Sequence, residues 1–487
     1  MVPGSGRLGA MKLFPILLLL VPALATAEPT LEPQLGLPFR DHAVLQQKIP
    51  LPVWGTTLPG AEVRVTIGEQ GMTTVADDAG FWRVTLLPMN AGRLASVHAV
   101  PEGLTLTATA TKDGATATTR IEDILIGEVW LCAGQSNMAG KMRTNASRHF
   151  PADSIEKANY PGLRQMVSPE VEWLVCSPET APEFKKVCFF FGRKVFEETL
   201  VPVGLINAAV GGSNIESWLN REPYEKGSHY QSMIEPLVGY GLCGMLWYQG
   251  ESNADDGIAY LPKLKSLITG WREAWAQPDS EAANGPRGKY SAYFVQLPGI
   301  GTSPADVPAM GDGRAGIRQA YFEALELPNT GMAIALDIGD LKEHPPNKYD
   351  TGIRLARLAL HHDYGFDELV PGGPLYKSHA IEGDAIRVRF EHAGSGLMIA
   401  EKEGFLPPEP KAGAKLGWLS IQGKDGTWHW ADGKIDGSDL IVSSPDAFEP
   451  VAVRYAYTNR PVGPLLYNKE GLPAGPFRTD DGMALSE

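Results

Sequence analysis

The sequence predicts an α/β fold: a parallel sheet with helices on both faces, flanked by N- and C-terminal β-sandwich regions. Three observations carry this. Between about residues 122 and 363, short apolar runs alternate with amphipathic stretches, the rhythm of parallel strands joined by helical crossovers. Before that, from about residue 37 to residue 120, short Val- and Thr-rich segments alternate apolar and polar residues between turn signals. Beyond Pro371 short strand patterns return.

Each element has its own signal. In the N-terminal region, residues 62–67, 81–86 and 104–111 read as half-buried strands, separated by Pro59-Gly60, Asp78-Ala79-Gly80 and Asp113-Gly114. In the middle of the chain, residues 128–133, 203–209, 244–248, 292–296 and 332–336 read as buried strands. Tyr260, Leu264, Leu267, Ile268, Trp271 and Trp275 recur at helical spacing and give one apolar face. Residues 184–200, 313–327 and 348–362 are further amphipathic helices. Strands at 385–390, 417–422, 440–443 and 452–457 complete the C-terminal region. The expected division is a leader over 1–27, a β-sandwich over 28–121, an α/β domain over 122–365 and a β-rich domain over 366–487.

The leader is read from Met11-Lys12, the apolar run 13–24 and the small residues Ala25-Thr26-Ala27. A charged start, a short apolar core and an A-x-A site predict a secretory signal peptide cleaved after Ala27, hence a secreted or periplasmic protein. Pro15 and Pro22 interrupt the run, so no membrane span is expected in the mature chain. The net charge of −14 and the lack of a basic run argue against nucleic acid as a partner. Four cysteines in 487 residues make no disulfide framework; Cys132 and Cys243 lie in apolar strand patterns as buried thiols, and the sequence leaves open whether Cys176 and Cys188 pair. No His/Cys cluster suggests a metal, and no cofactor is called for.

Chemistry concentrates in Cys132-Ala-Gly-Gln-Ser-Asn-Met138, directly after an apolar strand. A serine there sits at the carboxyl end of a parallel strand, where open sheets bind ligands, and can open a helix whose N–H groups favour negative charge. Such a serine is also an ordinary helix N-cap. The segment is not the G-x-S-x-G nucleophile elbow, because Met138 stands where the second glycine would be. A nucleophilic serine needs a base, and His344 follows the last predicted strand, so its loop reaches the same sheet edge; Pro345 keeps it out of the helical region. His361 and His362, near a helix C-terminus, read as structural.

Three further blocks stand at strand ends: Ala208-Ala-Val-Gly-Gly-Ser-Asn-Ile-Glu-Ser-Trp218, Trp247-Tyr-Gln-Gly-Glu-Ser-Asn253 and Asp337-Ile-Gly-Asp-Leu-Lys-Glu-His-Pro345. With the Gly-Gln-Ser-Asn-Met block and the tail Tyr467–Thr479, they resemble the sialate O-acetylesterase family of the SGNH-hydrolase superfamily, from about residue 53 to the end of the chain. The resemblance implies an SGNH-type, flavodoxin-like sheet in the α/β domain and a cofactor-free serine esterase. Ser136 would be the nucleophile and His344 the base. The wider superfamily places an aspartate three residues before the histidine, but position 341 is Leu. Asp340 and Glu251 are therefore the acids available to orient His344, with a dyad completed by a carbonyl as the alternative.

A tetrahedral oxyanion needs donors. The Ser136 and Gly212 main-chain N–H groups and the side-chain amides of Asn253 and Gln249 are the candidates. Trp218 and Tyr248 could form a platform for a sugar ring, or belong to the core. The implied substrate is an O-acetylated sugar, foremost an O-acetylated sialic acid, whose carboxylate Arg143, Arg221 or Lys342 could meet. An acetylxylan or general polysaccharide acetylesterase is the enzymatic alternative, and a noncatalytic carbohydrate-binding protein the alternative of another class.

Overall fold

In the computed structural model, residues 30–143, 150–170, 172–277, 290–303 and 313–480 are described, with the short stretches 281–282, 285–286, 307–308 and residue 311. The expected signal peptide, 1–27, lies outside the described residues.

One strand organises the fold. β1 (Ala115–Gly134) is 20 residues long, and its burial changes character part-way. From 115 to 122 the side chains mostly alternate or face solvent, while Ile124 to Gly134 form an unbroken buried run. The first half pairs antiparallel with Leu104–Lys112 in the N-terminal β region; the second is flanked on both sides by parallel strands. An antiparallel sheet can leave one face in water, whereas a parallel sheet covered by helices buries both. No break in secondary structure therefore falls at the expected 121/122 junction: β1 runs through it.

The remaining strands of the central sheet are β2 (Tyr160–Val167), β3 (Trp173–Cys176), β4 (Val203–Ala209), β5 (Gly244–Tyr248), β6 (Ser291–Gln296) and β7 (Thr330–Ile334). Their order is β3-β2-β4-β1-β5-β6-β7. All neighbours run parallel except the edge pair β2 and β3. The five strands read from sequence are present; β2 and β3 were not anticipated. Pro161 and Gly162 stand inside β2 and mask its pattern, and the sheet tolerates them because β2 sits next to the edge.

The helices are α1 (Ser136–Ala139), α2 (Lys186–Thr199), α3 (Tyr260–Trp275), α4 (Gly313–Glu323) and α5 (Lys348–Tyr364). They cover both faces, as two aromatic contacts establish. Trp130 of β1 meets Phe191 of α2 at 4.9 Å between ring centroids, while Trp247 of β5 meets Trp271 of α3 at 5.9 Å. Trp247 lies opposite Ala133 in the register, so the two tryptophans point to opposite faces. No helix among the described residues is long and apolar enough to cross a membrane.

Antiparallel sheets flank this core. At the N-terminal end, Leu51–Thr56 and Phe81–Leu86 pair in one sheet and Glu62–Ile67 pairs with Gln70–Val75 and Leu104–Lys112 in another. At the C-terminal end, strands such as Ala385–Glu391, Leu419–Gln422, Asp439–Ser443 and Ala452–Tyr455 build three small sheets. Two buried arginines weld this region to the α/β core. Arg318 of α4 donates to the carbonyls of Leu297, Pro298, Thr458 and Asn459. Arg354 of α5 grips Asp337 with two bonds of 2.6 and 2.7 Å, and Tyr467 donates to the same carboxylate at 3.2 Å. Asp337 thus anchors the base of the loop that carries His344.

Candidate active site

All four sequence blocks emerge at the carboxyl edge of the parallel sheet, after β1, β4, β5 and β7. Gly134 allows β1 and β5 to end in contact. Its φ is +140°, and a Cβ there would meet the Tyr248 carbonyl oxygen at 2.1 Å. The chain then turns, with Gln135 N–H donating to that carbonyl at 3.0 Å, and Ser136 opens α1 half-buried.

Ser136 and His344 meet across 208 residues of chain: Nε2 lies 2.9 Å from Oγ. This is the spacing of a nucleophile and the base that takes its proton. The neighbouring carboxylates stand elsewhere. Asp340 accepts from the Leu341 N–H at 2.7 Å, and its main chain bridges to Gly299 and Gly301, pinning the histidine loop to the loop after β6. Glu251 is buried and accepts from the Asn137 amide. Neither hydrogen-bonds the imidazole, and His344 Nδ1 has no protein partner among the described residues. The direct support of His344 expected from Asp340 and Glu251 is therefore corrected: Asp340 Oδ1 and Glu251 Oε1 accept from nearer donors, and Glu251 Oε2 is buried without a hydrogen-bond partner among the described residues.

Asn137, which sequence reasoning passed over, ties the site together. Its Nδ2 donates to Glu251 and, at 3.1 Å, to the carbonyl of Glu343, the residue before His344. Its Oδ1 accepts from Lys348 Nζ at 2.5 Å. Lys348, at the start of α5, is buried and lies 5.5 Å from the Tyr248 ring centroid. Burial pushes its ammonium down to about 7, with the charge of Lys186 adding and that of Glu251 opposing. Burial pushes the Glu251 carboxyl up, against the pull of its hydrogen bonds and of Lys348. Asn137 could have been suspected from its place beside the serine; nothing in the sequence marks Lys348.

The oxyanion candidates divide. Gln249 Nε2 already donates to Gln135, Ser213 and Asn253, and its Oε1 accepts from Tyr260. Asn253 Nδ2 donates to Glu216 at 3.1 Å and Asp256 at 2.9 Å. Both side-chain amides are buried struts of the loop, a correction to their expected role as donors. The main-chain candidates remain: among the described residues, the N–H groups of Ser136 and Gly212 donate to no protein acceptor. A Cβ on Gly211 would lie 3.7 Å from the Ser136 Cβ, so this glycine pair borders the serine, and Gly212 holds a φ of +74° that its lack of a side chain permits.

Trp218 and Tyr248 are also corrected as a sugar platform. They are 0% and 1% exposed, and Trp218 donates to Ser213 Oγ at 3.0 Å while packing edge-on against Trp247. Of the three cations, Arg143 pairs with Glu183 at 3.1 Å and Arg221 with Glu273 at 2.6 Å. Lys342 is exposed, two residues from His344, with no partner among the described residues. All four cysteines are free thiols, including Cys176 and Cys188.

This architecture has solved and curated relatives. A crystal structure of a carbohydrate acetylesterase from Xanthomonas citri aligns over 92% of this chain and 100% of its own, with a TM-score of 0.77 and 31% identity. The chain belongs to the carbohydrate acetylesterase family. The family model described as carbohydrate esterase, sialic acid-specific acetylesterase matches residues 126–281 of this acetylesterase, spanning Ser136, Gly212 and Glu251 but stopping before His344. The sialate O-acetylesterase of Homo sapiens is 28% identical over 87% of this chain and 88% of its own. That of Mus musculus is 26% identical over 91% of this chain and 94% of its own.

The Lys348 environment predicts a pH dependence of stability. Between about pH 7 and the unfolded lysine value of about 10.4, the unfolded chain carries a proton that the native state lacks, so native stability rises with pH. Denaturant unfolding of the wild type and of Lys348→Met should show the difference between them moving in favour of the wild type from pH 7 to pH 10. A difference independent of pH would show that Lys348 stays charged in the fold.

Proposed function

We propose that the chain is a serine esterase with an SGNH-type sheet that removes O-acetyl groups from sugars, with Ser136 as nucleophile and His344 as general base. The observation that carries this is the 2.9 Å contact between Ser136 Oγ and His344 Nε2 at the carboxyl edge of a parallel sheet. Ser136 Oγ attacks the acetyl carbonyl carbon as Nε2 takes its proton. The oxygen of the tetrahedral intermediate sits against the N–H groups of Ser136 and Gly212. As the C–O bond to the sugar breaks, the imidazolium returns the proton to the departing sugar oxygen. A water then attacks the acetyl-enzyme with His344 again as base, releasing acetate and regenerating Ser136. The catalytic pair works as a dyad, with Asp340 and Glu251 shaping the loops rather than polarising the imidazole.

The leading substrate is an O-acetylated sialic acid, on the strength of the curated relatives and the family model. Lys342, exposed two residues from His344, is the cation we assign to its carboxylate. The apolar run and A-x-A site over 11–27 support export of the protein, and the three-part division of the mature chain follows the change from antiparallel to parallel sheet and back.

Ser136→Ala should keep the fold, judged by its unfolding midpoint, and lower kcat on p-nitrophenyl acetate by at least about 10³-fold, since no acetyl-enzyme can form. Activity within about tenfold of wild type would sink the serine mechanism.

Substrate choice is read from kcat/KM on acetylated sialic acid, its methyl ester and acetylated xylose oligomers. Charge-assisted recognition of the carboxylate is worth about 1.5–3 kcal/mol, so the free acid should lead by roughly 10- to 150-fold. Equal values for all three would replace carboxylate recognition with a broad-range sugar acetylesterase.

A further inference from the structure

We propose that the C-terminal β region carries a second carbohydrate site, separate from Ser136, in which Trp418 and Trp430 take the ring of an uncharged pyranose unit. The proposal rests on the sugar-acetylesterase reading and goes beyond it, adding a binding site outside the catalytic loops. An open pocket of about 500 Å³ is lined by Lys415, Trp418, Trp430, Asp432, Ser444 and Asp446, among others. Its size falls in the range of roughly 300–1,000 Å³ usual for small-molecule sites.

The two indoles meet edge to face, with centroids 6.2 Å apart and planes at 82°, so they form two walls of a corner. Trp430 lies on the short edge strand Trp428–Trp430 and is 38% exposed, an unusual place for so large an apolar surface. Its indole N–H has no acceptor among the described residues. Trp418 is fixed by a 2.7 Å bond from its Nε1 to the Val462 carbonyl and holds a φ of +58°, a costly backbone for a bulky residue. The fold holds one tryptophan in a strained conformation and leaves the other partly exposed, and the pair forms an apolar corner with an indole face open to stack on the C–H face of a sugar ring.

The polar groups define the class of ligand. Lys415 and Asp432 pair at 2.8 Å, and the Asp446 carboxylate has no hydrogen-bond partner among the described residues. One cation against two carboxylates disfavours an anionic sugar, while the free carboxylate and the indole N–H offer an acceptor and a donor to hydroxyl groups. The site is thus complementary to a neutral ring of a glycan and not to the carboxylate of a sialic acid.

A neighbouring cleft and a series of loop contacts connect it to the α/β domain. Trp418 and Trp430 also line a narrow cleft with Pro308, Arg454, Tyr457 and Thr458, in which the Arg454 guanidinium is paired with Asp480 at 2.5 Å. Next along the chain, Arg460 N–H donates to Ser303 Oγ at 2.7 Å, and Gly301 N–H donates to the Asp340 carbonyl at 3.1 Å on the histidine loop. The cleft beside the pocket therefore reaches Pro308 in the segment after β6, and that segment is tied to the histidine loop through Gly301.

Titrating the full chain with xylohexaose, with a neutral N-acetyllactosamine oligomer, with free sialic acid and with choline, while following tryptophan emission and heat, tests this. At least one neutral oligosaccharide should bind. Trp430→Ala should weaken that binding about five- to tenfold, Trp430→Phe should restore part of it, and kcat on p-nitrophenyl acetate should stay within twofold. Binding of sialic acid or choline alone, no binding by either neutral oligosaccharide, or binding indifferent to Trp430→Ala would overturn the proposal. A wild-type chain that binds the oligosaccharide but does not hydrolyse p-nitrophenyl acetate would instead sink the esterase reading and leave this site standing.

Discussion

Asn137 is the side chain on which the proposed chemistry turns. Ser136 and His344 are supplied by different strands, and a 2.9 Å contact between them survives only if the two loops are held in register. Asn137 does this from the next position along α1, through the Glu343 carbonyl on one side and Glu251 and Lys348 on the other. Its amide satisfies three partners at once in a buried setting, where an unmatched polar group is costly. Burial pushes the Glu251 carboxyl up and the Lys348 ammonium down, while their mutual attraction opposes both shifts.

The rest of the fold delivers the loops to that knot. β1 runs from the N-terminal β region to Ser136 without a break, so the proposed nucleophile stands at the end of a buried strand flanked by parallel neighbours. Asp337 and Arg354 anchor the far end of the histidine loop, and Asp340 fastens its middle to the loop after β6. Arg318 carries the same rigidity into the C-terminal sheets through backbone carbonyls.

Much of this was legible in the sequence, for a physical reason. Buried parallel strands are continuous apolar runs, and ligand chemistry follows their carboxyl ends, so Ser136, Gly212 and His344 could be placed at one edge from the chain alone. What the sequence withheld depends on partners distant along it. Whether the Gln249 and Asn253 amides have a spare N–H is decided by Gln135, Ser213, Glu216 and Asp256. Whether Trp218 and Tyr248 offer a ring face is decided by packing against Trp247 and Lys348. β2 was hidden by Pro161 and Gly162 in a strand that pairing nonetheless stabilises. Lys348 reads as an ordinary first-turn lysine until the fold buries it.

The central claim is that Asn137 positions the reacting pair without touching substrate, and steady-state kinetics of Asn137→Ala on p-nitrophenyl acetate tests it most directly. Loss of the tie misplaces the base by a fraction of the hydrogen-bond length, and misplacements of about 1 Å cost about 10²-fold. The account predicts a fall in kcat of that order with KM within about threefold of wild type. A kcat within about threefold of wild type in the folded variant, or a loss confined to KM, would contradict it.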